Sequence, residues 1–241
     1  MPNSYDLAGK VAIVAGGCGG IGREIARRLA VSGSTVWIWD KQRVSLDGVR
    51  SQTVDVTDAR QIAEALATIS GQSNRVDIVV NSAGYLGTLH RFEEHDPDDW
   101  ARIVQVNLMG MMKVTQAVIP QMRAAGGGRI VNMGSLAGKE GLANLAVYSA
   151  ASAGVIAFTK ALAREVVADG IFVNCVAPGP IDTDMIRGLG SAAVEQMTSD
   201  SPMKRLGTAD EVAQLVAWLC SDASRFNTGA VFDMSGGRAR Y

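Results

Sequence analysis

The chain has 241 residues, enough for one large core, shows no internal linker, and is 47% hydrophobic. Its 23 basic and 24 acidic residues leave a formal net charge of -1, which supplies no basic field for nucleic acid and no acidic tail, so a small molecule is the expected partner. No unbroken apolar run reaches the roughly 18 residues of a membrane span, the start MPNSYDLAGK has neither the basic nor the apolar part of a leader, and Cys18, Cys175 and Cys220 lack metal or disulfide spacing; the expectation is a cytoplasmic protein with free thiols, no metal and no membrane partner.

Short apolar runs alternate with longer amphipathic stretches, the pattern of strands and helices in a parallel sheet covered on both faces. The expected fold class is α/β: a single-domain, Rossmann-type doubly wound parallel sheet of about seven strands over residues 1–241. The first strand, KVAIVAG, runs into Ala15-Gly16-Gly17-Cys18-Gly19-Gly20-Ile21-Gly22 and then into the helix IGREIARRLAVSG, whose Ile21, Ile25 and Leu29 share a face. Glycines at 16, 20 and 22 let the chain turn tightly and let a pyrophosphate approach the helix N-terminus, where free N–H groups and the helix dipole favour anions. A strand, such a turn and a helix in succession predict a dinucleotide site.

The second strand, TVWIWD, ends at Asp40, whose carboxylate can accept hydrogen bonds from the adenosine ribose and repel a 2′-phosphate, which favours NAD over NADP. Two readings compete: Asp40 as a plain turn cap, and NADP tolerance through Lys41 and Arg43. A short third strand, SQTVDV, follows so closely that a loop or single turn must replace the usual helical crossover. After the strand VDIVVNSAG, the stretch GTLHRFEEHDPDDW places His90 and His95 in an exposed loop, His90 the nearer to the NSAG turn. The segment DDWARIVQVNLMGMMKVTQAVIPQMR reads as one long helix with Met109, Met111 and Met112 packed inside, ending at Gly126-Gly127-Gly128. GRIVNMGS, IFVNCVAPG and AVFDMSGG complete the strands. Between them lie the helix through AGVIAFTKALAREVV, the helix ADEVAQLVAWLCSD, with Trp218 in core or subunit contact, and an irregular segment, 184–202, where lids over substrates tend to sit.

In this order the residues resemble those of the short-chain dehydrogenase/reductase family over nearly the whole chain. Gly16, Gly20 and Gly22 match its TGxxxGxG turn, Asp55-Val56-Thr57 its DVT segment, and Asn81-Ser82-Ala83-Gly84 its NNAG segment. Asn107, Ser135 and Tyr148 fall at its active-site asparagine, serine and tyrosine, Pro178-Gly179 and Thr183 at its PG motif and carboxamide-contacting threonine, and NTG with SGG at its C-terminal signature. The resemblance implies cofactor contacts from Gly16, Cys18, Gly20, Ile21, Gly22, Asp40, Asp55, Val56, Asn81, Ala83, Gly84, Tyr148, Pro178, Gly179, Ile181 and Thr183. It further implies a homotetramer built on the helices containing Asn107 and Tyr148, or a mixed oligomer with an active homologue.

Two positions depart from the family pattern. Ala15 stands for a threonine that ties the turn to neighbouring strands, a loss of about 1 kcal/mol for one hydrogen bond. Ser152 stands for the lysine of YxxxK. That lysine lowers the tyrosine pKa and holds the nicotinamide ribose in the family; a serine is shorter and uncharged. If the phenol pKa relaxed upward by about two units, roughly 3 kcal/mol of support for the tyrosinate would go. Tyr148 and Ser152, four apart on a helix, face one cleft. Lys160, about 12 Å further along the axis, is too far to fill in; Lys139 and Lys113 are the remaining candidates, each read chiefly as a solvated surface group.

The expected activity is NAD-dependent interconversion of a secondary alcohol and a ketone, with Tyr148 as acid/base, Ser135 as oxyanion donor, Asn107 organising water and Ser152 in place of the lysine. The alternatives are a non-catalytic NAD-binding subunit partnering an active homologue, and a replacement introduced at position 152. The loops at 184–202 and 137–146 offer mainly small and apolar groups, which suits a medium-sized, partly apolar hydroxy or keto compound.

Overall fold

The computed structural model describes residues 5–241; the first four residues of the MPNSYDLAGK start lie outside it. Among the described residues the chain forms strands β1 (Val11–Ala15), β2 (Thr35–Asp40), β3 (Val49–Thr53), β4 (Ile78–Asn81), β5 (Gly128–Met133), β6 (Ile171–Pro178) and β7 (Val231–Met234). They pair in parallel in the order β3-β2-β1-β4-β5-β6-β7. The order reverses between β1 and β4, and the crevice at such a switch point, outside the C-terminal strand ends, is where open α/β sheets bind ligands.

Alternation along each strand builds two cores. Ile13, Val79, Ile130 and Val173 point to one face, where α2 (Ala59–Ser73), α4 (Met111–Ala124) and α6 (Ala146–Val166) cover them. Ala12, Val14, Val80, Val131 and Val176 point to the other, under α1 (Gly20–Val31) and α9 (Ala209–Cys220). Each fully buried Ile, Leu or Val contributes about 1.5–3 kcal/mol, so the strands are fixed by what lies on both faces, and their near-continuous apolar runs follow from that. A buried polar chain adds register: Asn81 Nδ2 donates to Asn132 Oδ1 (2.8 Å), and Asn132 Nδ2 to Thr159 Oγ1 (3.0 Å), tying β4, β5 and α6 together.

All the expected strands form, with β3 two residues earlier than SQTVDV and joined to β2 by a loop. The single long helix does not: α3 (Pro97–Val104) passes through a π-helical stretch at Gln105–Gly110 before α4 begins. The π stretch holds Asn107, and such local widenings are frequent at functional sites. Met111 packs in the core as expected, whereas Met109 is exposed. His95 is a second correction: its ring is buried, with Nε2 2.9 Å from the Thr88 carbonyl, because the loop folds back over α3; His90 is exposed and stands off the cleft. The stretch Ala146–Asp169, with a mean hydropathy of 1.3, is long and apolar enough by composition to cross a membrane, a property that a search for unbroken apolar runs does not detect. It packs against β6 and α5 (Leu136–Glu140), burying Ala151, Val155, Leu162 and Val166.

Candidate active site

A cavity of about 500 Å³ opens at the switch point along the C-terminal ends of β1, β2, β4, β5 and β6. Its floor is the glycine turn. Gly16 takes φ +80, and a Cβ there would stand 2.3 Å from the Ala83 backbone nitrogen; at Gly22 it would stand 2.1 Å from the Gly16 carbonyl oxygen. No side chain fits at either position without moving backbone, so turn, helix and the β4 end close on one another. A Cβ at Gly19, by contrast, would meet nothing nearer than 3.9 Å. Main chain is thus presented to the cavity with no side chain in the way, directly at the N-terminus of α1. These residues fit a pyrophosphate.

Asp40 and Asp55 stand at the far end. Asp40 Oδ2 accepts from Cys18 N (3.0 Å) and Oδ1 from Gln42 N (3.1 Å), so the carboxylate both lines the cavity and braces the turn. Its roles as cap and as cavity wall coexist, because a carboxylate has about four acceptor positions. The Cys18 thiol bonds the Gln42 carbonyl (3.2 Å); burial, then the nearby Asp40 charge, push its pKa up to about 11, which leaves it protonated. Asp55 Oδ1 accepts from Thr57 N and Oγ1, and Oδ2 pairs with Lys41 Nζ at 2.9 Å. Ala15 is buried in β1 and the turn keeps its shape: Gly16 N donates to Trp39 O (2.7 Å) and Ser82 N to Ala15 O (2.8 Å).

At the opposite end Ser135, Tyr148 and Ser152 share one wall with Asn107. Ser135 caps α5, its Oγ accepting from Ala137 N at 3.1 Å, which sets its hydroxyl at the β5 terminus. Tyr148 and Ser152 lie one turn apart on α6; Tyr148 is half-buried, and Ser152 is buried with 4% exposure. Burial pushes the Tyr148 phenol above its ordinary pKa of 10.0; hydrogen bonding to Ser135 and Ser152 pulls the other way without cancelling it. Among the described residues no cation contributes. Lys139 is 3.0 Å from Asp233 of β7 with its side chain 11% exposed, and Lys113 donates to the Thr57 carbonyl at 2.6 Å. Neither is the solvated group expected from sequence and neither lines the cavity; each is committed elsewhere.

Asn107 is buried and doubly engaged: Oδ1 accepts from Tyr85 N and Nδ2 donates to Tyr85 O, both at 2.7 Å. It therefore pins the chain leaving β4 to the π-helical stretch. Asn81 stands at the end of β4 just outside the lining of the cavity, its Nδ2 engaged in the buried chain with Asn132. The other sequence-predicted residues, Gly20, Ile21, Val56, Ala83, Gly84, Pro178, Gly179, Ile181 and Thr183, all line it. Lys41, Gln42, Ser82, Met133, Gly134 and Val155 line it too without being named as contacts by the sequence, although several sit beside its motifs. Asp184, Met185 and Ile186, at the start of the 184–202 segment, close one side; α7 (Asp184–Arg187) and α8 (Ser191–Asp200) carry the rest of it.

A family model described as enoyl-(acyl carrier protein) reductase matches residues 16–239, a span that takes in the glycine turn and the whole hydroxyl wall. The 2-dehydro-3-deoxy-L-rhamnonate dehydrogenase (NAD(+)) of Sphingomonas sp. is 36% identical over 97% of this chain and 97% of its own. The acetoacetyl-CoA reductase of Cupriavidus necator is 35% identical over 95% of this chain and 97% of its own. The ligand-free aldohexose dehydrogenase of Thermoplasma acidophilum superposes with a TM-score of 0.93 at 29% identity, covering 99% of this chain and 97% of that one.

Proposed function

The chain belongs to the short-chain dehydrogenase/reductase family of NAD(P)-dependent oxidoreductases, and from that premise we propose that it interconverts a secondary alcohol and a ketone with NAD(H), using an active site in which Ser152 replaces the usual lysine. The observation that carries the proposal is the wall of hydroxyls, Ser135, Tyr148 and Ser152, facing the same cavity as the glycine cradle. Bound NAD(H) supplies or takes up the hydride. Gly16, Gly20 and Gly22 with the α1 N-terminus hold its pyrophosphate. Asp40, its charge set against a 2′-phosphate, favours NAD. Pro178 and Gly179, at the end of β6, line the cavity with Thr183, which the family resemblance assigns to the carboxamide.

In the reductive direction neutral Tyr148 gives its proton to the carbonyl oxygen while the Ser135 hydroxyl donates to the same oxygen as charge develops. In the oxidative direction Tyr148 must first lose that proton. With the phenol held above its ordinary range and two serine hydroxyls as its support, tyrosinate is scarce at neutral pH. Reduction therefore loses less from the missing lysine than oxidation does. Asn107 keeps the Tyr85 segment against the cleft, and 184–202 acts as a lid of which Met185 and Ile186 are the apolar inner edge. We place the substrate among medium-sized hydroxy or keto acids and their thioesters, the range spanned by the names of the two relatives, and the protein in the cytoplasm as a homotetramer built on the helical segments carrying Asn107 and Tyr148.

The test is NADH consumption with a panel of 3-oxoacyl thioesters and keto sugar acids, run beside Tyr148→Phe. Turnover that disappears in the variant, with NAD binding kept, supports the reading; turnover undiminished in Tyr148→Phe refutes the role of the phenol. A second reading, a non-catalytic NAD-binding subunit that partners an active homologue, draws on one observation, the lack among the described residues of any cation acting on Tyr148. It is favoured if neither the unaltered chain nor Ser152→Lys turns over any of the panel.

A further inference from the structure

We infer that Asp55 reinforces the NAD preference proposed for Asp40 by sequestering Lys41, the cation that would otherwise receive a 2′-phosphate; the inference rests on the proposed NAD site. Lys41 follows Asp40 directly, lines the same cavity, and is bonded through Nζ to Asp55 Oδ2 at 2.9 Å. The two side chains are 62% and 26% exposed, so the ammonium is at the rim and mobile enough to be placed by whichever anion holds it. Asp55 is itself well anchored. Thr57 donates to its Oδ1 from both N (2.9 Å) and Oγ1 (2.7 Å), and although burial works to raise its pKa, Lys41 and Thr57 outweigh that and keep it ionised.

The other charges at this end stand apart from a 2′-phosphate or oppose it. Asp40 is fixed by Cys18 N and Gln42 N and stays at the cavity wall. Arg43 donates from Nε to Thr53 Oγ1 at 3.2 Å and does not line the cavity. Arg23, on the exposed side of α1, is close enough to act on the Cys18 thiol but does not line the cavity either. Of these basic groups Lys41 is the one a dianionic phosphate would meet, and Asp55 already neutralises it. A 2′-phosphate, carrying about −1.5 to −2 charges, would face Asp40 with no free cation lining the cavity among the described residues. An uncharged ribose hydroxyl would not feel the difference.

Isothermal titration of NAD and NADP into the unaltered chain, Asp55→Asn and the double variant Asp55→Asn/Lys41→Met tests this without any turnover. Asparagine keeps an oxygen acceptor for Thr57, while its neutral NH2 in place of Oδ2 no longer holds Lys41. A contact of Asp55 with the adenine would be lost for both coenzymes alike, so the ratio of the two affinities is the readout. The ratio should move toward NADP by about fivefold in Asp55→Asn, the scale of one partly exposed ion pair, and return in the double variant. A ratio unchanged in Asp55→Asn, or a gain that survives loss of Lys41, overturns the inference and leaves the NAD site standing. Failure of the unaltered chain to bind NAD overturns both. Should Asp55→Asn misfold, Asp55→Ser removes the same charge while keeping a hydroxyl acceptor, and the same ratio decides.

Discussion

The glycine turn and the hydroxyl wall, at opposite ends of one cavity, hold their shapes in different ways. At Gly16 and Gly22 the determinant is backbone against backbone, with clearances of 2.3 and 2.1 Å to a hypothetical Cβ. There is no room for variation, and a single methyl group breaks the fit. At Ser135, Tyr148 and Ser152 the backbone is ordinary helix and cap, and everything depends on which side chains those positions carry. On the proposed reading, a serine at position 152 leaves the fold intact while changing what the phenol can do. Binding and chemistry can therefore be perturbed separately in this chain.

The largest separation is expected from Tyr148→Phe. Turnover should fall about a thousandfold, as for loss of a general acid/base, while NAD affinity measured by titration stays within about twofold. Gly22→Ala should do the reverse. Its methyl would collide with the Gly16 carbonyl, and NAD affinity should fall about a hundredfold, or about 3 kcal/mol. Ser152→Lys restores a cation one turn from Tyr148 and should raise alcohol oxidation near neutral pH about tenfold, with ketone reduction changed much less. The smallest effect is expected from Lys139→Met. Because Lys139 is paired with Asp233, its loss should cost about 1 kcal/mol in denaturant unfolding and leave the pH profile of oxidation where it was. A profile displaced by Lys139→Met would mean that this ammonium does reach the phenol.

The legible part of the molecule is the part governed by local rules. Apolar runs announce every strand, the glycine spacing announces the turn, the four-residue step from Tyr148 to Ser152 puts both on one helix face, and the family resemblance adds Ser135 to their wall. What escapes depends on partners distant in sequence. Asn81 Nδ2 is held by Asn132 and Thr115, partners that only the folded sheet brings to it. His95 looks exposed in a polar stretch until the loop closes over α3 and buries it. Lys41 reads as a source of NADP tolerance and Asp55 as a cofactor contact; their pairing with each other appears only when β2 and β3 lie side by side. The π-helical stretch at Gln105–Gly110 escapes a reading by helical period, since six residues are too short a window to tell a widened turn from an α-helical one.

In the proposed reaction Tyr148 works as a neutral phenol without a cationic neighbour, and the pH dependence of kcat/KM for alcohol oxidation tests this most directly. A folded-state pKa above 10.0 leaves the base form rare below that pH, so the rate should still be climbing at pH 10.0, while reduction should hold level from neutrality until the same region. An oxidation profile that levels off near neutrality would contradict it, because some group would then be supplying the positive charge that position 152 lacks.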